Sequence, residues 1–88
     1  MNYAVEMSDE AEEDLAAVWM AAPDPAAVNE AMNEADQILS VRPLSSSDSL
    51  AEGLRRLKVR PLLVYFRVDI ARRLVEVSNI HLILSESP

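Results

Sequence analysis

The sequence has no cysteine, one glycine, one histidine and one tryptophan, and aromatic residues make up only 5% of it. Without cysteine there is no disulfide framework, no thiolate nucleophile and no cysteine-based zinc site. A lone histidine, His81, leaves no His-rich metal site either. No apolar run approaches the roughly 20 residues that a membrane helix needs. The opening Met-Asn-Tyr-Ala-Val-Glu has neither the basic region nor the apolar core of a secretion signal. These absences lead to the expectation of a cytoplasmic protein with no metal, no other cofactor and no membrane association.

Cations are scarce as well, and unevenly placed. Eight Lys and Arg face fifteen Asp and Glu, for a net charge of −7. Residues 1–50 hold eleven acids and a single cation, Arg42, a balance of −10. Residues 51–88 hold seven cations and four acids, a balance of +3. A general nucleic-acid binder is not expected from the total, but an anionic partner would meet the second half.

What is present is a core. Half of the 88 residues are hydrophobic, with Leu, Val and Ala dominant. That is enough for one domain of this size and too short for two. Residues 1–84 are expected to form that domain, with 85–88 a short tail. Residues 2–7 read as a strand with Tyr3, Val5 and Met7 on one face. Ser8 is a helix cap, and Asp9, Glu10, Glu12, Glu13 and Asp14 follow it. Acids there suit the positive end of a helix dipole, which makes a solvated helix start a better reading than a metal site. Ala11, Leu15, Val18, Trp19 and Ala22 recur at helical period, so Trp19 is expected in the core with Met20 at the edge of the stripe.

Pro23-Asp24-Pro25 ends the first helix and starts a second, with Asp24 as N-cap and Pro25 in the first helical position. Val28, Met32, Ala35, Ile38 and Leu39 form its apolar stripe, and Pro43 stops it. So short a link makes the two helices an antiparallel hairpin. Residues 44–49 read as a polar loop. Thereafter the period falls from 3.6 to 2, with strands expected at 53–60, 62–69 and 73–83, the last bending near Asn79. The order β-α-α-β-β-β specifies an α+β fold, a helical hairpin packed on a mainly antiparallel four-stranded sheet.

Several local patterns are similar to the RelE/ParE toxin superfamily. Tyr-x-Val-x-Met-Ser-x-x-Ala-x-x-Asp-Leu at residues 3–15 resembles the family's first strand and helix start. Trp19 stands where the first helix commonly carries an aromatic, and Arg42-Pro43 resembles the end of helix two. Gly53 to Val59 and Val64 to Asp69 resemble the central hairpin, and Val75 to His81 the last strand. The resemblance implies the toxin of a bacterial type II toxin–antitoxin pair, of the plasmid-stabilisation kind. It would be neutralised by a cognate antitoxin and would reach DNA only through it. An antitoxin tail would fold on the domain as a helix or an added strand, an acidic segment lying on the basic sheet face and apolar anchors along the helical hairpin. The superfamily's targets are the ribosome with its mRNA, which one branch cuts, and DNA gyrase, which another branch inhibits. A degenerate relative that only binds antitoxin is the third alternative.

Alternation puts Leu54, Arg56, Lys58 and Arg60 on one face of a strand and Arg55, Leu57 and Val59 on the other. A row of three cations suits a polyanion, although such a row is also what the solvated side of a half-buried sheet looks like. In the nuclease branch a basic strand here holds RNA, so the resemblance makes Arg56, Lys58 and Arg60 the RNA-binding residues. A 2′-hydroxyl attacks the adjacent phosphate without a metal, and cations stabilise the charge that develops. Arg56 and Lys58 would serve catalysis with His81, histidine being the residue type that exchanges a proton near neutral pH. His81 could equally be a structural or surface residue. The sequence departs from that branch in having Leu62 where an arginine begins the next strand. It departs again in following His81 with Leu82 and Ile83 rather than with a basic residue and a tyrosine. Tyr3 and Tyr65 read as packing residues whose hydroxyls reach solvent.

Overall fold

A computed structural model describes residues 2–83, and the expected tail at 85–88 lies outside them. The elements run β1 (Ala4–Met7), α1 (Asp9–Ala21), α2 (Pro25–Val41), β2 (Asp48–Ala51), β3 (Leu54–Val59), β4 (Leu62–Asp69) and β5 (Leu74–Leu82). One sheet of strand order β1-β5-β4-β3-β2 carries both helices. β1 runs parallel to β5, and the other neighbouring pairs are antiparallel. No helix among the described residues is long and apolar enough to cross a membrane.

The strand count corrects the expectation of four. Asp48-Ser49-Leu50-Ala51 is a fifth strand at the sheet edge rather than loop. All four of its residues are exposed, so it carries no hydrophobic alternation by which it could be read. It exists because Glu52 (φ 49°) and Gly53 (φ 83°) form a two-residue turn with both φ positive, joining Ala51 to its partner Leu54. That is the turn geometry whose twist matches a hairpin. Glycine, used once in this sequence, stands where positive φ is needed. Arg55 fastens the preceding loop: its Nε donates to Ser47 Oγ (2.7 Å), and its Nη2 to the carbonyls of Leu44 (2.9 Å) and Ser47 (3.1 Å).

Both helix starts follow their caps. Ser8 Oγ accepts from the Ala11 N–H at 3.0 Å, and Asp24 Oδ1 from those of Ala26 (3.1 Å) and Ala27 (3.4 Å). Ala11 and Val18 of α1 and Val28, Ala31, Ala35 and Leu39 of α2 are buried against Leu57, Val59, Leu62, Val64, Phe66, Val75, Val77 and Ile80 of the sheet. Trp19 is not among them. It is 47% exposed and its neighbour Met20 82%, which corrects the expectation of a core tryptophan. Trp19 follows Val18 directly, and a helix turns about 100° per residue, so seating Val18 on the sheet swings Trp19 to the helix flank.

β5 carries the feature that docks α1. Tyr65 pairs with Asn79 and Phe66 with Val77, so Ser78 is an extra residue, a β-bulge. The bulge leaves ladder groups to be satisfied from elsewhere, and α1 supplies the partners. Asp14 Oδ2 accepts from the Ile80 N–H (3.0 Å) and from Asn79 Nδ2 (3.2 Å). Ser8 Oγ donates to the Ser78 carbonyl (3.2 Å), and the Ser8 N–H donates to that of Val77 (2.9 Å). Removing one partner from such a set costs about 1–3 kcal/mol. Asp14→Ala is therefore expected to lower unfolding free energy by about 2 kcal/mol, more than Trp19→Ala, whose half-exposed ring should cost about 1 kcal/mol or less. Urea denaturation of the two variants checks this ranking, and the reverse order would mean that the clamp is not formed in solution.

Candidate functional site: the open face of the sheet

The helices cover one face of the sheet, and the other is open. Leu57, Val59, Leu62, Val64 and Phe66 point into the core, which turns Arg56, Lys58, Leu63, Tyr65 and Arg67 outward. Cross-strand pairing then sets the outward residues in rows. Lys58 pairs with Leu63, and Leu63 with His81. Arg56 pairs with Tyr65, and on its other side with Asp48 of β2. Neighbouring strands lie about 4.8 Å apart, so Lys58 and His81, two strands apart, have backbones about 10 Å from each other.

Two of the three cations expected from the sequence stand together here. Arg56 and Lys58 line a hollow whose other walls are Asp48, Leu63 and Ile83. Arg60 is not on the strand with them. It forms the β3–β4 turn with Pro61, across a cis peptide, and lines a separate hollow with Asp24, Ala27, Pro23 and Leu82 at the link between the helices. The alternation that aligns Arg56 and Lys58 ends at Val59, where β3 ends.

His81 is exposed on the open face, and its ring meets that of Tyr65, with centroids 5.0 Å apart and planes tilted 56°. Tyr65 is half-buried. Read from the sequence as a packing residue, it lies at the centre of the face, between Arg56 and the histidine. The signal for it was the same alternation that placed the cations, since Leu63, Tyr65 and Arg67 share one parity in β4. The position that opens β4 outward is Leu63, because Leu62 is fully buried toward the helices. The cation absent from the sequence at this point is thus absent from the face, and an apolar side chain stands between Lys58 and His81.

The remaining charges are partly engaged in structure. Arg67 Nη1 donates to the Glu52 carbonyl at 2.6 Å and so holds the β2–β3 turn. Arg56 Nη2 lies 4.0 Å from Asp48 Oδ2, with side-chain exposures of 39% and 80%. An ion pair that open contributes little to stability, in the range of about 0–1 kcal/mol. Glu6 and Glu76 face each other across the parallel β1–β5 pair and are exposed. The open face is therefore cationic over β3 and acidic toward β1. Among the described residues, no three His, Asp or Glu side chains gather where they could hold a metal ion.

The face offers Arg56 and Lys58 to a phosphodiester and Tyr65 as a ring on which a base can stack, with His81 against that ring. Asp48 tempers it. Asp48→Asn is expected to leave stability within about 0.5 kcal/mol. It should tighten binding of a single-stranded oligouridylate about twofold to threefold at low salt, with the gain lost near 0.5 M salt. Fluorescence anisotropy measures this, and a gain that survives high salt would mean that Asp48 acts by blocking the hollow.

No protein-family profile matches the chain, and no curated protein sequence does. Solved structures do. The toxin–antitoxin complex RelBE2 from Mycobacterium tuberculosis contains a chain that superposes with a TM-score of 0.79 at 19% identity, over 93% of this chain and 92% of that one. The archaeal RelE–RelB complex from Pyrococcus horikoshii OT3 gives 0.69 at 14% identity, over 94% and 97%. The chromosomal ParDE toxin–antitoxin system from P. aeruginosa gives 0.68 at 18% identity, over 92% and 96%. With five strands in place of the expected four, the architecture read from the sequence stands, and this chain has the fold of the RelE/ParE toxins.

Proposed function

We propose that this protein is the toxin of a type II toxin–antitoxin pair, acting in the bacterial cytoplasm and held inactive by a cognate antitoxin. The fold shared along nearly the whole length of toxin–antitoxin proteins supports this reading. For the activity, the observation that carries most is the grouping of Arg56, Lys58, Tyr65 and His81 on one uncovered sheet face. That grouping favours cleavage of mRNA in the ribosome. Arg56 and Lys58 hold the scissile phosphate and stabilise the charge that grows on it when the adjacent 2′-hydroxyl attacks. His81 carries the proton, taking it from the attacking hydroxyl or giving it to the leaving oxygen. Arg60, at the turn beyond the hollow, contacts the RNA backbone at a neighbouring phosphate.

A second reading, inhibition of DNA gyrase by protein contact alone, is favoured by one feature. Leu63 and Ile83 place apolar surface in the hollow where a nuclease of this kind would gain from another cation. Either target lies outside DNA itself, which the pair would meet through the antitoxin.

Induction of the chain without antitoxin is expected to arrest growth and to yield cut messages in ribosome-associated RNA. Arg56→Ala with Lys58→Ala should slow cleavage on the order of 100-fold or more and abolish the arrest. A double variant as toxic as the parent removes this site assignment. Arrest with intact messages and an induced DNA-damage response would give the gyrase reading instead, and harmless overexpression would leave only antitoxin binding. Arg60→Ala should raise KM with kcat unchanged and lower the salt slope of RNA binding by about one.

A further inference from the structure

The flank of α1 forms, with Met7 of β1 and Asn29 of α2, a groove of about 630 Å3 lined also by Leu15, Ala16, Trp19 and Met20, with Glu12 at its edge. Glu12, Leu15, Ala16, Trp19 and Met20 recur at helical spacing, so the groove follows α1 for about 12 Å, the reach of two turns of a second helix. Its one charged lining residue is Glu12, and the helix positions around it are acidic. Residues 1–41 contain ten Asp and Glu and no Lys, Arg or His. Asp9 and Glu13 lie one turn before Glu12 and Ala16 on α1, and Glu30 follows Asn29 on α2.

Resting on the toxin reading above, we infer that this groove receives an amphipathic helix of the partner whose apolar stripe is flanked by Lys and Arg. The charge of the rim selects among occupants. A second copy docked by a two-fold axis would bring the same acidic rim against itself, which like-charge repulsion disfavours. An anionic lipid surface is disfavoured for the same reason. A helix with cationic flanks gains on both counts, burying Trp19 and Met20 while its charges meet the carboxylates. The partner thus has two faces of opposite demand: a basic segment for the helical side, and an acidic one if it also covers Arg56 and Lys58. The first of these adds a charged contact on the helical side to the acidic segment expected on the basic sheet face.

Trp19, the only tryptophan, lies in the groove and reports on it directly. The test titrates the full chain with two synthetic amphipathic peptides of roughly 18 residues, long enough to sustain a helix. They share one leucine stripe and differ only in flanking it with lysine or with glutamate. The Lys-flanked peptide should shift Trp19 emission to shorter wavelength and bind at least tenfold tighter than the Glu-flanked one. Raising salt from about 50 mM to about 500 mM should weaken it. Met20→Asp, at a side chain 82% exposed and so without consequence for folding, should weaken it at least tenfold, and Glu12→Lys should narrow the preference between the two peptides. Equal binding of both peptides, or binding indifferent to Met20→Asp, overturns the inference. A blue shift produced by raising protein concentration alone would also overturn it and assign the groove to a second copy. Growth arrest does not enter this measurement, so the toxin reading and the groove's occupant can fail separately.

Discussion

The sheet depends on a single extra residue and the two side chains that hold it. Ser78 bulges from β5, and without it the period of two would carry Val75 and Val77 to Asn79 and turn Ile80 outward. With it, Val75, Val77 and Ile80 all lie in the core. Because parity is reset for everything beyond it, the bulge also decides that His81 faces the open side beside Leu63 and Tyr65. Asp14 and Ser8 make the bulge a specified feature rather than a slip, since each answers a backbone group that the ladder leaves over. The position of the candidate proton carrier is therefore set from the far side of the sheet, by a carboxylate on α1.

The same logic sorts the cations. Seven of the eight Lys and Arg follow Ser49, but they do different things. Arg55 points toward the helix side and ties the loop after α2, and Arg67 closes on the Glu52 carbonyl. Both hold β2 and its turn, and so hold Asp48 where it meets Arg56. Arg56 and Lys58 give the open face its sign over β3. The net charge of the chain conceals this, because most of the acids belong to the helices and their caps, on the opposite side, and Glu6 and Glu76 pair at the β1 edge. The molecule is thus electrically two-sided, and a partner that wraps it must change sign along its own length.

How much of this was legible follows from where hydrophobic alternation exists. The helices, their caps at Ser8 and Asp24, and four of the five strands announce themselves by periodicity and by Ser, Asp and Pro at the right places. The bend near Asn79 was visible as a strand too long to keep one phase. β2 was not legible, because an edge strand exposed on every residue needs no apolar pattern and owes its place to the Glu52–Gly53 turn and to Arg55. Arg60 was read into the row of Arg56 and Lys58 because alternation says nothing of where a strand stops. The Arg60–Pro61 turn ends the row one residue short. Trp19 was misplaced for a related reason: an apolar stripe wider than the buried contact leaves one edge outside, and periodicity alone cannot say which.

That edge explains how one helix can serve two constraints. On its sheet side α1 offers Ser8, Ala11, Asp14 and Val18, each committed to a contact with the bulge or the core. On its flank it offers Glu12, Ala16, Trp19 and Met20, all exposed, with Leu15 between the two sets, lining the groove while it packs against the core. Substitutions at the four exposed positions change the groove and its charge while leaving the contacts of Asp14 and Ser8 with the Ser78 bulge intact. Recognition of the partner can then diverge without moving His81, whereas loss of Asp14 would disturb the open face from behind. The separation gives the fold a fixed sheet chemistry and an adjustable partner surface on the same thirteen-residue helix.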